Sequence, residues 1–363
     1  MKLKNTQPAY LYSSVAGDEV PKKRIERDSS IELYRIVVMF LIVASHYVDT
    51  SGLLDLVDDK TSIAKLLYTY SFGAWGKRGN NCFILITGYF MCKSDINLKK
   101  FLKLIFQIYF YTIILNTIAV LTGYADVSVN LLFFTIFPFR DFSHNFVSGY
   151  VCLFLAIPFL NILIKNLTKR QHLILSILLL IIYTGVGSIP IVGIEINYFS
   201  WFVVLYIIAA FLRFYGFPLN IPHRLWGLIL LSSLLLAALS IYTLVSVGKI
   251  WNFFIHESNK ILAVMVALSS FMWFKDLKIG HSRVINEIAS TIFGVYLIHS
   301  NSNMKHWLWN EFLNVDAQFY SQYYVLFSVL SVITIFIGCT LIDLIRIRFI
   351  ERPVMKAIEL QKE

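Results

Sequence analysis

The chain has 363 residues, of which 57% are apolar and only 15% charged, with a net charge of +10 and a mean hydropathy of +0.67. A soluble domain is about a quarter charged, so this much apolar surface excludes one soluble globule of this length. The basic excess calls for no nucleic-acid partner, because basic residues gathered on one membrane face serve topology and anionic lipid.

Residues 1–28 form a polar tail with Pro8, Pro21 and the basic run Lys22-Lys23-Arg24. It has no apolar core or small-residue cleavage site and is not read as a signal peptide; it is expected to be cytoplasmic and disordered. Beyond it, apolar runs recur at the length that crosses a hydrocarbon core, and in lipid only helices or closed barrels satisfy the backbone. Alternating strand patterns are absent, which leaves helices. The expected spans are 31–49, 79–92, 101–122, 146–164, 171–189, 198–215, 225–247, 260–275, 287–301 and 322–345. The fold class is thus all-α: a polytopic integral membrane helix bundle of about ten transmembrane helices. The second span is weakly marked, because Gly76-Lys77-Arg78-Gly79-Asn80-Asn81 interrupts its apolar stretch. Residues 62–75 read as an amphipathic or re-entrant piece before it.

With the N-terminus inside, and basic residues at span ends counted with the adjoining segment, 23 of the 32 Lys and Arg residues fall in inner segments, 8 in outer ones and Arg35 within a span. Both termini are therefore expected to face the cytoplasm. A membrane domain over 29–356 and a cytoplasmic tail over 357–363 complete the organisation. Cys82, Cys92, Cys152 and Cys339 have no paired spacing, so neither a disulfide framework nor a metal site is expected.

An ionisable group at the centre of a span costs about 2.5–3.5 kcal/mol on insertion scales and marks function by default. The first span alone reads as loaded this way, with Glu32, Arg35 and His46. At about 100° per residue, Arg35 and His46 fall within about 20° of one helix face and about 16 Å apart along it, with Glu32 about 40° off. Histidine is the side chain best suited to take a proton from a hydroxyl near neutral pH. The plainer alternative is an interfacial Glu32–Arg35 ion pair with His46 capping the helix.

Arg35 followed after ten residues by His46 resembles the signature of the acyltransferase-3 family of bacterial membrane acyltransferases. Further stretches are similar to that family in order. They are Phe83-Ile84-Leu85-Ile86-Thr87-Gly88-Tyr89, Phe146 to Asn161 with Tyr150 and Pro158, and Trp201 to Arg213. Phe293-Gly294-Val295-Tyr296-Leu297-Ile298-His299 and Glu351-Arg352-Pro353 follow.

The resemblance covers about 29–356 and implies a multi-pass protein of the bacterial cell membrane. Its implied reaction moves an acyl group, usually acetyl, from acetyl-CoA to a sugar hydroxyl of a surface or exported polysaccharide. His46 is implied as base or transient acyl carrier and Arg35 as the group that positions the donor or the charge developing in the transition state; Glu32, from the same helix stripe, completes the catalytic set. Where the family often carries an arginine pair for CoA phosphates, this chain has Lys99, Lys100 and Lys103, point charges in place of a planar fork. They also serve as positive-inside anchors. Thr87 replaces the usual Ser and keeps the hydroxyl.

His144, Tyr150 and His299 are candidates for the acceptor side, although a lone His at the place of His299 is more often an interfacial cap. Expected partners are acyl-CoA, a glycan or lipid-linked sugar, membrane lipid, and a second copy of the chain. The competing reading is a transporter or flippase for a sugar-linked lipid or small solute, which commonly shows two related halves; none is visible here. A sensor or scaffold is the third.

Overall fold

The computed structural model describes residues 29–58, 60–94, 98–139, 141, 145–189, 192, 194, 196–247, 254 and 257–360. The expectation for the 1–28 tail and the candidate His144 lie outside the described residues, as do 361–363 of the other tail.

All regular structure among the described residues is helical. In chain order come α1 (Ser30–Asp49), α2 (Ile63–Gly73), α3 (Gly76–Met91), α4 (Leu98–Leu121), α5 (Val129–Ile136), α6 (Phe146–Asn166), α7 (Lys169–Leu180) and α8 (Tyr198–Tyr215). They are followed by α9 (His223–Ser246), α10 (Ile261–Lys275), α11 (Arg283–Ser290), α12 (Ile292–His299), α13 (Val315–Tyr320), α14 (Tyr324–Arg346) and α15 (Arg352–Leu360). Polar side chains set several starts by accepting from orphan backbone N–H groups. Asn145 caps α6 through Ser148, Asn197 caps α8 through Ser200, and Thr168 with Gln171 closes a capping box on α7.

Seven of the described helices are long and apolar enough to cross a membrane: α1, α4, α6, α7 with its continuation to Ser188, α8, α9, and α14 running on into α15. They coincide with seven of the ten expected spans. The other three are shorter elements. The second is α3, in which the polar stretch that interrupts the sequence pattern becomes the helix's own buried N-terminal half. Asn81 donates to the Ser258 carbonyl at 2.6 Å and accepts from Trp201 Nε1 at 2.8 Å, while Asn80 donates to the Tyr198 hydroxyl at 3.2 Å. Polar groups satisfied in this way by neighbouring helices need no water. The eighth is α10, and the ninth is divided at Thr291 into α11 and the eight-residue α12. The segment at 62–75 is helical as α2, just ahead of α3.

α8 is the most enclosed span, with Trp201, Phe202, Tyr206, Ala209 and Ala210 fully buried. It packs most closely on α3 at Gly88, where a Cβ would stand 2.8 Å from Ala209 Cβ and 3.0 Å from Tyr206 Cα. α9 is the least enclosed, and its exposed Leu228, Leu231 and Leu235 give the apolar face that lipid requires.

α1 touches α2, α3, α10, α11, α12 and α14, which puts the expected stripe at the centre of the bundle. It is not the only loaded span, contrary to the sequence reading. At the end of α14, Asp343 and Arg346 are buried together with Glu351. Arg346 Nε donates to Asp343 Oδ1 at 2.6 Å and Nη1 to Glu351 Oε2 at 2.7 Å. The Tyr111 hydroxyl also donates to Asp343 Oδ1 at 2.6 Å, and Lys103 Nζ lies 2.6 Å from Glu351 Oε1. Residues five apart diverge around a regular α-helix. The π turn over Ile347–Glu351 is wider and brings Glu351 back over Arg346.

Gln107, with its amide oxygen turned inward, accepts from Gly294 N and Arg346 Nη2, both at 3.1 Å. The network thereby grips α12. Gly294 leaves no room for a side chain, since a Cβ there would fall 2.1 Å from Asp343 Cγ. Gly294→Ala is expected to cost about 1–3 kcal/mol through overpacking, read as a lower unfolding temperature of the detergent-solubilised protein.

Candidate active site

His46, in the last turn of α1, and His299, the last residue of α12, are 253 residues apart in sequence and hydrogen-bonded: His46 Nδ1 lies 2.9 Å from His299 Nε2. The other nitrogen of His299, Nδ1, is 2.6 Å from the Val295 carbonyl. A carbonyl only accepts, so His299 Nδ1 carries the proton. In the neutral ring Nε2 is then the acceptor, and His46 Nδ1 must donate to it. His46 Nε2 is left with its lone pair. One backbone carbonyl thus fixes both tautomers and leaves His46 as a base. His299 is 1% exposed, which keeps water from competing for this relay.

Below the relay a cavity of about 340 Å³ is bounded by α1, α3, α4, α6, α11 and α12. Its cations are Arg35, Lys100 and Lys103. Its neutral polar groups include Asn80, Thr87, Gln107 and Tyr150. Tyr296 also lines it, with its ring centroid 6.1 Å from that of His46 and 5.2 Å from that of Phe146. Tyr296 therefore stands between the cavity and the histidine pair.

The candidates fall into distinct places. Arg35 pairs with Glu32 at 3.5 Å, so the Glu32 carboxylate faces the arginine and not His46. Arg35 itself lines the cavity, about 16 Å along α1 from His46. Lys100 and Lys103 are both at the cavity, Lys100 donating to Ser94 Oγ at 2.6 Å and Lys103 pairing with Glu351, whereas Lys99 is not among its lining residues. Tyr150 lines this same cavity, stacked on Phe146. His299 makes its contact with His46. Sequence reasoning passed over Asp343 and Arg346, although a carboxylate at 343 in an otherwise apolar run was a visible signal.

Residues 28–344 match the family model described as an acyltransferase domain, Acyl_transf_3. The chain belongs to the acyltransferase-3 family. No curated protein and no solved structure matches it. Membership makes the chain a membrane acyltransferase, and its several apolar helices make it a multi-pass membrane protein. In this acyltransferase-3 protein the family segment at 293–299 is the short helix α12, whose ends serve two purposes. Gly294 seats it on the ion network, and His299 holds His46.

Proposed function

We propose that the chain transfers an acyl group, acetyl being the simplest, from acyl-CoA to a sugar hydroxyl of a surface or exported polysaccharide, with His46 as general base. The observation that carries this reading is the oriented relay from the Val295 carbonyl through His299 to His46. In the reaction the sugar hydroxyl oxygen attacks the thioester carbonyl carbon. A C–O ester bond forms and the C–S bond breaks. His46 Nε2 accepts the hydroxyl proton and returns it to the departing CoA thiolate.

The spacing of the charges supports a CoA donor. Arg35 is too far from His46 to meet the same reacting carbonyl, but CoA separates its phosphates from its thioester by a long pantetheine arm. Phosphates held by Arg35, Lys100 and Lys103 would therefore place the thioester toward Tyr296 and His46. On the proposed topology these cations face the cytoplasm, where CoA is found.

The test compares cells lacking the chain with cells producing it, by mild-alkali release of O-acyl groups from surface glycan. A glycan that gains none, with altered solute uptake, would favour a transporter. Lys100→Ala is expected to raise the KM for acetyl-CoA about five- to tenfold with kcat little changed, because one phosphate contact binds ground and transition state alike. Steady-state kinetics in membrane vesicles reads this directly.

A further inference from the structure

A second and larger cavity, about 690 Å³, lies at the other end of α4 and α12. α4 contributes Lys100, Lys103 and Gln107 to the first cavity and Ile108, Thr112 and Asn116 to the second. From Lys100 to Asn116 the helix rises about 24 Å, so the two mouths are on opposite sides of the bundle. α12 divides in the same way: Ile292, Phe293 and Tyr296 line the first cavity, Leu297 and the following Ser300 and Asn301 the second. His299 lies in the second of these stretches, between Leu297 and Ser300.

The chemistry of the second wall is unlike that of the first. Among its 18 described lining residues ten carry a neutral amide or hydroxyl, one, Asp126, a carboxylate, and none a cation. Asn116 is only 6% exposed toward the C-terminal end of a membrane helix. Its amide donates to Thr135 Oγ1 at 2.8 Å, and its oxygen accepts from Asn303 at 2.9 Å and Asn301 at 3.5 Å. Asn130 and Asn145 add two more amides to the wall. Such a wall is more polar than apolar, and its described residues give a phosphate or uronate no counter-charge. Paired donors and acceptors suit hydroxyls, and the volume is that of a ligand site.

We propose that this cavity is the acceptor subsite and that it takes an uncharged carbohydrate segment, entering from the side opposite the donor. The proposal rests on the acyl-transfer reading above and adds the side of entry and the charge class of the acceptor. An acceptor hydroxyl presented past Ser300 and Asn301 approaches the histidine pair from its far side. Free polymer and lipid-linked sugar share this chemistry.

The experiment uses cells producing the full chain, with alkali-labile O-acyl measured separately in the polymer and in the organic-extractable lipid-linked fraction. Asn303→Leu is expected to lower the O-acyl content of the acceptor fraction about tenfold, the effect of about 1.4 kcal/mol of lost recognition. Binding of acetyl-CoA to the purified protein should be unchanged, and Asn303→Ser should retain most of the transfer. Asn130→Leu, at an exposed position on the same wall, should also lower transfer and guards against a folding defect at 303. Full transfer by both leucine variants overturns the subsite. Increased transfer by Asn303→Lys overturns the uncharged acceptor, since an anionic glycan would gain from an added cation. Absence of any O-acyl transfer by the unmodified chain overturns the acyl-transfer reading itself, and the subsite with it.

Discussion

Replacing His46 by alanine is expected to cut acyl transfer by about two to four orders of magnitude, the usual contribution of a positioned general base. The loss should fall on kcat and kcat/KM together, because proton transfer is made only in the transition state. Acetyl-CoA affinity should stay near that of the unmodified protein, since of the cavity's cations Arg35 is about 16 Å away along α1 and Lys100 and Lys103 are on α4. His299→Leu leaves His46 in place and removes only the acceptor of its Nδ1 proton, so its loss should be smaller, about one to two orders of magnitude. Rates at matched membrane levels, with CoA release followed by a thiol reagent, check both. A fully active His46→Ala protein would remove the histidine from the mechanism.

Arg346→Met is expected to be the most destabilising single change, at about 3–5 kcal/mol, because it strands two buried carboxylates. Asp343 would keep only the Tyr111 hydroxyl, and Glu351 only Lys103. Thermal unfolding in detergent and the amount of protein in the membrane measure the loss. The triple variant Asp343→Leu, Arg346→Met, Glu351→Gln should recover much of it, since replacing a buried ion group entire is far less costly than breaking it. Equal instability of the single and triple variants would show that packing, and not charge, governs the site. Activity should fall along with stability, because Gln107 and Gly294 link the network to the helix that ends in His299.

The helical membrane class followed from composition and run length alone, and seven spans lie where the apolar runs put them. The poorly marked second span illustrates the limit of that signal. Hydropathy scores Asn80 and Asn81 as interruptions, but they are satisfied by Tyr198, Ser258 and Trp201, whose proximity only the tertiary fold creates. The site was legible in the same uneven way. Helical periodicity put Arg35 and His46 on one stripe, yet it gave no means of learning that Arg35 serves a cavity while His46 turns to a histidine 253 residues away. His299 was marked only by its family segment. Glu32 lay on the right face and still has a local partner, because an i, i+3 arginine is nearer than anything a helix length away. The amides of the second cavity carry no charge and no spacing, so one sequence offered nothing to single them out.

The shortness of α12 bears on how material crosses the membrane. Eight residues of helix measure about 12 Å, well under half of the roughly 30 Å hydrocarbon layer. If donor and acceptor occupy the two cavities as proposed, neither the nucleotide nor the glycan would have to be carried through the bilayer. Only the acyl group would change sides, by exchanging one bond for another. On the proposed reading the chain would pass an acyl group from one side of the membrane to the other without carrying either substrate across.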